Sequence, residues 1–123
     1  FTLIETIISL LILCIVMLGM LYTVNLAINT NMQNNLRDEA IKIAQGEVNT
    51  ILNNANNSTG ALQSYTKTVN VSINNFQETY NVSVNAQQES NNGMNNVIIY
   101  TVTVTWNYKG QPQVHTETTA VHL

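Results

Sequence analysis

The first five residues, Phe1-Thr-Leu-Ile-Glu5, place an α-amine and a carboxylate about one helical turn apart. Glu5 is followed by a stretch without any charged residue, from Thr6 to Leu36. A carboxylate in an apolar segment of membrane length costs about 2.5–3.5 kcal/mol on insertion scales, so it is retained where it has a partner. The nearest positive charge is the amine of Phe1. We therefore expect an ion pair between Phe1 and Glu5, and a processed N-terminus because the chain starts at Phe.

The other ionisable residues show no arrangement typical of an enzyme or a metal site. His115 and His122 are seven positions apart on one predicted strand, and an odd separation places them on opposite faces. Glu78, Glu89 and Glu117 are dispersed, without the spacing of a calcium loop. The sequence contains neither a nucleophile elbow nor a glycine-rich phosphate loop. We expect no catalytic residue, no metal site and no cofactor.

Composition narrows the class of protein further. Charged residues make up 9% of the chain, against about 25% in typical soluble domains. The net charge is −3, and the polar residues are dominated by 20 Asn and 15 Thr. The few cations are scattered, so they form no basic stripe and we expect no direct nucleic-acid binding. Cys14 is the one cysteine, which excludes an intrachain disulfide and favours a role as a small apolar residue.

An apolar segment is followed by an amphipathic one. Thr6 to Ile28 is long enough to cross a hydrocarbon core of about 30 Å. Beyond it, Glu47 and other charged residues lie mostly between apolar residues that recur every three or four positions, namely Leu36, Ala40, Ile43 or Ala44, Val48, Ile51 and Ala55. We predict one helix from Thr2 to about Asn54, ended by the Asn-rich run 53–60.

After Gly60 the period changes to two, which is typical of strands with one buried face and one wet face. Turn residues divide this region at Asn74-Asn75, at Asn92-Gly93 and at Lys109-Gly-Gln-Pro112. The last strand, Val114 to Leu123, changes its apolar phase along its length. That change predicts a bulge or fraying.

These periods predict an α+β fold, with a long N-terminal helix packed against a four-stranded antiparallel sheet. We divide the chain into an apolar helix (1–28), an amphipathic continuation with the start of a loop (29–56) and a β domain (57–123). The amphipathic stripe should cover the apolar face of the sheet. We expect Leu36, Ile43 and Ile51 to bury Tyr65, Val69, Val71, Val82, Val84, Val102, Val104 and Trp106.

Two kinds of modification site remain open. Asn56, Asn57, Asn70 and Asn81 each begin an Asn-x-Ser/Thr sequence, the acceptor of N-linked glycans. Such matches arise easily by chance in a chain rich in Asn, Ser and Thr. The hydroxyl groups on the wet face of the sheet are alternative acceptors, for O-linked sugars.

The N-terminal segment, FTLIETIISLLILCIVMLGML, resembles the mature N-terminus of type IV pilins and pseudopilins. In that family a charged leader is cleaved before a residue that is usually Phe, whose amine is then methylated. The resemblance implies that Phe1 is the site of processing and N-methylation and that Phe1 and Glu5 act in assembly. Many bacterial pilins have Pro near the position of Tyr22, and this chain does not. Gly19 is then the candidate weak point of the helix.

The resemblance implies the structural, major subunit of a type IV pilus. Such a subunit resides in the inner membrane, is cut by a prepilin peptidase and is polymerised by the pilus assembly machinery. The product is a homopolymeric filament on the bacterial cell surface that serves functions such as adhesion or motility. Two alternatives stay open: a type II secretion pseudopilin or minor pilin, which the missing Pro favours, and a monomeric membrane-anchored extracellular binding module, which leaves Glu5 without a role.

Overall fold

A computed structural model describes residues 2–57, 63–91 and 95–122 of the chain. The elements follow one another as α1 (Leu3–Asn57), β1 (Tyr65–Ile73), β2 (Phe76–Asn91), β3 (Asn95–Tyr108) and β4 (Gln111–His122). The four strands form one antiparallel sheet in the order β1-β2-β3-β4. The predicted α+β fold is therefore confirmed. The chain divides into two compact units, Phe1–Asn34 and Asn35–Leu123.

Helix α1 begins with a turn closed by the backbone of Thr2. The carbonyl of Thr2 accepts from the N–H groups of Glu5 and Thr6, with N–O distances of 3.0 and 3.4 Å. A carboxylate in the first turn also interacts favourably with the positive end of the helix dipole. The helix ends at Asn57 rather than near Asn54, so the first residues of the Asn-rich run are helical.

Two tight turns join the strands at positions that the sequence identifies. Asn74 and Asn75 have φ of 48° and 66°, and Lys109 and Gly110 have φ of 50° and 77°. Two successive positive φ angles are those of a type I′ turn, which matches the twist of a hairpin. Asn and Gly adopt this conformation readily. The second of these turns uses only Lys109 and Gly110 because Gln111 and Pro112 belong to β4. The predicted turn at Asn92-Gly93 lies outside the described residues.

Strand β4 is regular, so the expected bulge or fraying is wrong over its described length. Its pairing with β3 runs in one register from Tyr108↔Gln111 to Val97↔His122. The apolar residues of this strand change sides along its length although the strand is regular, because the face towards the helix is mostly polar. Val114, 61% exposed, lies on the opposite face.

The core of the second unit lies between the C-terminal part of α1 and one face of the sheet. Ala40 and Ala44 are one turn apart and fully buried, so this side of the helix faces the core. The buried face of the sheet is formed mainly by β2 and β3. Its apolar members are Tyr80, Val82, Val84, Ala86, Ile98, Tyr100, Val102, Val104 and Trp106.

The expected core is confirmed for the central strands and for Leu36 and Ile51, but not at the edge. Tyr65 was expected to be buried and is 37% exposed. Val69, Val71 and Ile43 are only half-buried. Tyr65, Val69 and Val71 belong to β1, which has a neighbouring strand on one side only, so the helix covers them incompletely.

Candidate functional site

The first unit consists of a helical segment whose apolar side chains are uncovered. Every described residue from Thr2 to Ile28 is exposed, with values of 82% at Leu3 and 67% at Leu18 and Leu21. Burying one such side chain fully stabilises a protein by about 1.5–3 kcal/mol. Among the described residues, α1 is the one helix long and apolar enough to cross a membrane, a property that membrane anchors and signal sequences share. An exposed apolar surface of this extent marks a contact site for a membrane or for other protein surface.

Two threonines within this segment are satisfied by the helix itself. The hydroxyl of Thr6 donates to the carbonyl oxygen of Leu3 at 2.7 Å, and that of Thr23 to the carbonyl oxygen of Gly19 at 3.0 Å. Threonines bonded in this way can enter an apolar environment without an orphaned donor. The carboxylate of Glu5 is then the one ionisable group of this segment that needs a partner of opposite charge.

Three residues singled out by the sequence lie in this unit. Glu5 occupies the first turn of α1 and is exposed. Its expected partner, Phe1, lies outside the described residues, so the ion pair stays a prediction. The helix is continuous through Gly19, and a Cβ at that position would contact nothing within 4 Å. In the single subunit, Gly19 therefore marks an open site on an intact helix.

A buried carboxylate connects the helix to the sheet in the second unit. Glu47 is 4% exposed and faces strand β1. Its Oε1 accepts a hydrogen bond from the hydroxyl of Tyr65, and its Oε2 forms an ion pair with the ammonium group of Lys67. Each oxygen thus has a partner, which a buried carboxylate requires. This cluster is a polar clamp between α1 and the edge of the sheet.

The clamp buries Glu47, which the sequence pattern places with the charged residues between the apolar positions. The helical period does place Glu47 close to the direction of Ala40, Ala44 and Ile51, which face the sheet. Its charge argued against burial there. The sequence of strand β1 indicates this burial, because Lys67 lies on the same face of the strand as Tyr65 and Val69. A lysine on a buried face indicates an acidic partner opposite.

We expect Glu47→Gln to destabilise the full-length protein by about 1–3 kcal/mol, because Lys67 loses its charged partner. The effect stays below that of a fully buried pair because the Lys67 side chain is 45% exposed and can turn to water. Denaturant unfolding in detergent, followed by Trp fluorescence, measures the change. The matched control is Glu39→Gln, which breaks the exposed 3.4 Å pair with Lys42 and should change stability by about 0–1 kcal/mol. Equal effects of the two variants would contradict the clamp.

Two tyrosines at the interface between helix and sheet have a pKa above the usual value. The hydroxyl of Tyr80 is buried and donates to the carbonyl oxygen of Leu36 at 3.0 Å. Burial, followed by the charges of Glu78 and Glu39, raises the pKa of Tyr80 to about 12. Desolvation, together with the hydrogen bond to Glu47, raises the pKa of Tyr65 to about 12. Deprotonation of either hydroxyl would remove a hydrogen bond between the helix and the sheet.

These shifts predict a loss of stability at alkaline pH. The ordinary tyrosine pKa is about 10, so the unfolded chain releases these protons before the folded one does. The contribution of both groups is fully present below pH 10 and is lost as pH rises from about 10 through about 12. Denaturant unfolding across this range measures the decline. Tyr80→Phe and Tyr65→Phe should each make it shallower, and a decline unchanged in both variants would contradict this assignment.

Three further ionisable residues of the sheet, Glu78, His115 and Glu117, have contacts within the protein. Glu78, 9% exposed, accepts from the backbone N–H of Asn107 at 3.3 Å, just beyond the last β2–β3 pair. On the helix-facing side of β4, Nε2 of His115 lies 3.2 Å from Oε1 of Glu117. His122 lies on the other side, as predicted from its odd separation from His115. No group of three or more His, Cys, Asp or Glu suited to a metal ion occurs among residues 2–57, 63–91 and 95–122.

Three of the candidate glycosylation residues, Asn56, Asn70 and Asn81, are exposed. Asn56 is exposed at the C-terminal end of α1, beside Asn57. Asn70 and Asn81 lie on the outer face of the sheet, where Asn70 accepts from the hydroxyl of Thr79 at 2.9 Å and Asn81 from that of Thr68 at 3.5 Å. Both amides are thus engaged across strands, and their modification stays a prediction.

Comparison with protein-family models, with curated proteins and with solved structures gave no significant match for this chain. The long apolar N-terminal helix and the four-stranded antiparallel sheet are compatible with a pilin-like fold.

Proposed function

We propose that this protein is the structural subunit of a type IV pilus-like filament and polymerises through its N-terminal helix. The observation that carries the proposal is the exposed apolar segment of α1 with a single carboxylate, Glu5, in its first turn. By its resemblance to type IV pilins, the subunit is held in the inner membrane and then transferred into an extracellular homopolymer. The proposal includes no enzymatic activity.

The apolar segment can be shielded from water in two successive environments, first a bilayer and then a filament. The side chains between Leu3 and Ile28 are stable in a bilayer, since the segment is long enough to span one. Once the subunit leaves the bilayer, the same side chains require other apolar surface. Copies of the same segment supply it, so the packed helices of a filament replace lipid.

Glu5 explains why the segment is not merely an anchor. In a core of packed apolar helices, an unpaired carboxylate carries a large desolvation penalty. A methylated amine at Phe1 stays cationic and can pair with Glu5 of the same subunit or of its neighbour. A pair between neighbours aligns the helices along the filament axis, and family resemblance favours it. A pair within one subunit is sterically allowed because the two residues are one helical turn apart.

A monomeric membrane anchor is the alternative from another class of function. It requires the same apolar helix but gives no reason for a carboxylate within it. A pseudopilin or minor pilin shares the proposed chemistry and differs in abundance, and the absence of Pro at position 22 favours it. The abundance of the protein in surface filaments distinguishes these three hypotheses.

The proposal is tested by shearing filaments from the cells that make this protein, imaging them and identifying their main component by mass spectrometry. We expect this chain to be the main protein, with a methylated N-terminal Phe1. Recovery of the chain only in the membrane fraction, from cells that carry filaments made of another protein, would contradict the proposal.

The proposal also leads to a prediction for Gly19. Alanine at this position favours the helix by about 1 kcal/mol relative to glycine, and the site has room for its Cβ. If residues 18–24 lose helical hydrogen bonds during assembly, Gly19→Ala should reduce filament yield while membrane insertion is unchanged. The matched control is Gly46→Ala, at a second helical glycine whose Cβ also meets nothing within 4 Å. Normal filament yield for Gly19→Ala would show that the helix stays intact there.

A further inference from the structure

Among residues 2–57, 63–91 and 95–122, no strand pairs with the outer edges of β1 and β4, so both edges present backbone groups to the outside of the sheet. The tight turns decide which residues these are, because the residues flanking a two-residue turn are hydrogen-bonded to each other. The flanking pairs are Ile73↔Phe76 and Tyr108↔Gln111. Alternation along an antiparallel ladder then directs the N–H and C=O groups of odd residues in β1 and β4 inward. The even residues, from Thr66 to Ser72 and from Pro112 to His122, present theirs outward.

Exposed edges are commonly protected by lysines, proline, inward-pointing charges, bulges or a short strand. The described parts of β1 and β4 are long and without a bulge, and their protective residues are few: Pro112 near the start of β4, and the helix-facing charges Glu117 and Lys67. Strand β4 has 12 residues in an unbroken register and contains no Lys or Arg. Pro112 lies at an outward position, where its missing N–H leaves the β3–β4 ladder intact. On β1 the one lysine, Lys67, points its side chain to the helix and is paired with Glu47.

A second copy of the chain supplies a strand in the required direction. The sheet has an even number of antiparallel strands, so β1 and β4 run in opposite directions. When a copy in the same orientation lies beside β4, its β1 is therefore antiparallel to β4. A β4–β4 contact would instead require a two-fold axis, which a filament of uniformly oriented subunits lacks.

Charge selects the register of this contact. The side chains of Glu117 and Lys67 both lie on the helix-facing side of their strands and are 26% and 45% exposed. Placing Glu117 opposite Lys67 of the neighbour joins opposite charges across the two edges. Lys67 would then lie between Glu117 of the neighbouring copy and Glu47 of its own helix.

The same register satisfies the outward backbone groups except at Pro112, which has no N–H to donate to Ser72 opposite it. It aligns all of β1 with residues 111–119 of β4. It also places the outward residues Thr116 and Thr118 opposite the outward residues Thr68 and Thr66, which can exchange both N–H···O bonds in each pair. A register shifted by one residue would put outward groups opposite inward ones and is excluded.

We infer that β4 of one copy pairs with β1 of the next, with Glu117 opposite Lys67, to form a continuous sheet between subunits. This contact is head-to-tail, so it extends into a filament when it does not close into a ring. The inference rests on the proposed function for one condition, namely that the copies share one orientation.

Disulfide trapping tests the contact in the full-length protein. Thr68 and Thr116 are exposed on the outer face, and a hydrogen-bonded antiparallel pair has a Cα separation of about 5.5 Å, which suits a disulfide. In a Cys14→Ala background, cells expressing Thr68→Cys with Thr116→Cys are treated with copper phenanthroline and oxygen. Each copy then carries both thiols, so we expect a ladder of covalent multimers on a non-reducing gel.

Control variants separate register, symmetry and function. Thr68→Cys with Thr118→Cys, two residues out of register, should form the ladder more slowly, and the single-cysteine variants should form no ladder. A faster ladder for the shifted pair would overturn the register, and dimers from Thr116→Cys alone would overturn the head-to-tail contact. Absence of a ladder would overturn the strand pairing, whether or not filaments are present. Filaments without a ladder would leave the proposed function standing.

Discussion

Cells expressing Glu5→Ala are expected to insert the protein into the membrane and fold its β domain but to make few or no filaments. In the proposed filament, the substitution would leave the cationic Phe1 amine without its partner in an apolar core. Removing one member of a buried charge pair costs about 2–5 kcal/mol, and about 1.4 kcal/mol changes an equilibrium constant tenfold. The addition of each subunit should therefore weaken by more than an order of magnitude. Filament yield in the sheared fraction, relative to the protein in the membrane, measures the effect.

Two further variants identify charge as the cause. Glu5→Gln keeps the size and polarity of the side chain and should also fail to assemble. Glu89→Ala removes a carboxylate from an exposed position on the sheet and should assemble normally. Glu5→Ala filaments of normal length and yield would show that the carboxylate is dispensable.

Trp106→Ala is expected to produce a large loss of stability. Trp106 is 6% exposed. The centroid of its ring system lies 5.9 Å from that of the Tyr80 ring, and the two ring planes are inclined by 45°. Truncation of a buried Trp to Ala typically costs about 3–5 kcal/mol, because apolar contacts are lost and a cavity remains. Denaturant unfolding of the full-length protein, followed by circular dichroism, measures the change.

Two controls separate packing from hydrogen bonding at this position. The indole Nε1 of Trp106 is buried and has no hydrogen-bond partner in the part of the chain that the structure describes. Trp106→Phe therefore loses no hydrogen bond and should be much milder than Trp106→Ala. Val114→Ala, on the exposed outer face of β4, should be nearly neutral. A small effect of Trp106→Ala, similar to that of Val114→Ala, would contradict its place in the core.

The sequence predicts the elements of this fold well because each has a strong local period. The switch from a helical repeat to an alternation near Gly60 separates α1 from the sheet. The Asn74-Asn75 and Lys109-Gly110 turns follow from residues that tolerate positive φ. Burial of Val82, Val102 and Trp106 follows from alternation alone, since central strands have a neighbour on both sides.

Edge strands and buried charges could not be predicted in the same way. Tyr65 alternates like a core residue, but its strand lies at the edge of the sheet, and strand order is a property of the whole chain. The sequence pattern groups Glu47 with the charged residues between the apolar positions, although its position on the helix faces the sheet. Its burial depends on Lys67 and Tyr65, which are distant in sequence and become neighbours only in the folded protein.

The N-terminal site is predicted from residue types rather than from contacts. Glu5 is placed in the first turn of α1, and its proposed partner belongs either to the same subunit or to a neighbour. A pair between subunits cannot be read from one chain, because it depends on the packing of copies. The same limit applies to Gly19, since the helix of a single subunit is continuous at that residue.

A three-dimensional reconstruction of the assembled filament tests polymerisation through the N-terminal helix most directly. The predicted result places residues 3–28 of every subunit at the filament axis, in contact with the same segment of neighbouring subunits. In that map the carboxylate of Glu5 lies within ion-pair distance of a Phe1 amine. A filament whose axis is lined by the β domains, with the apolar segments outside or absent, would contradict the account.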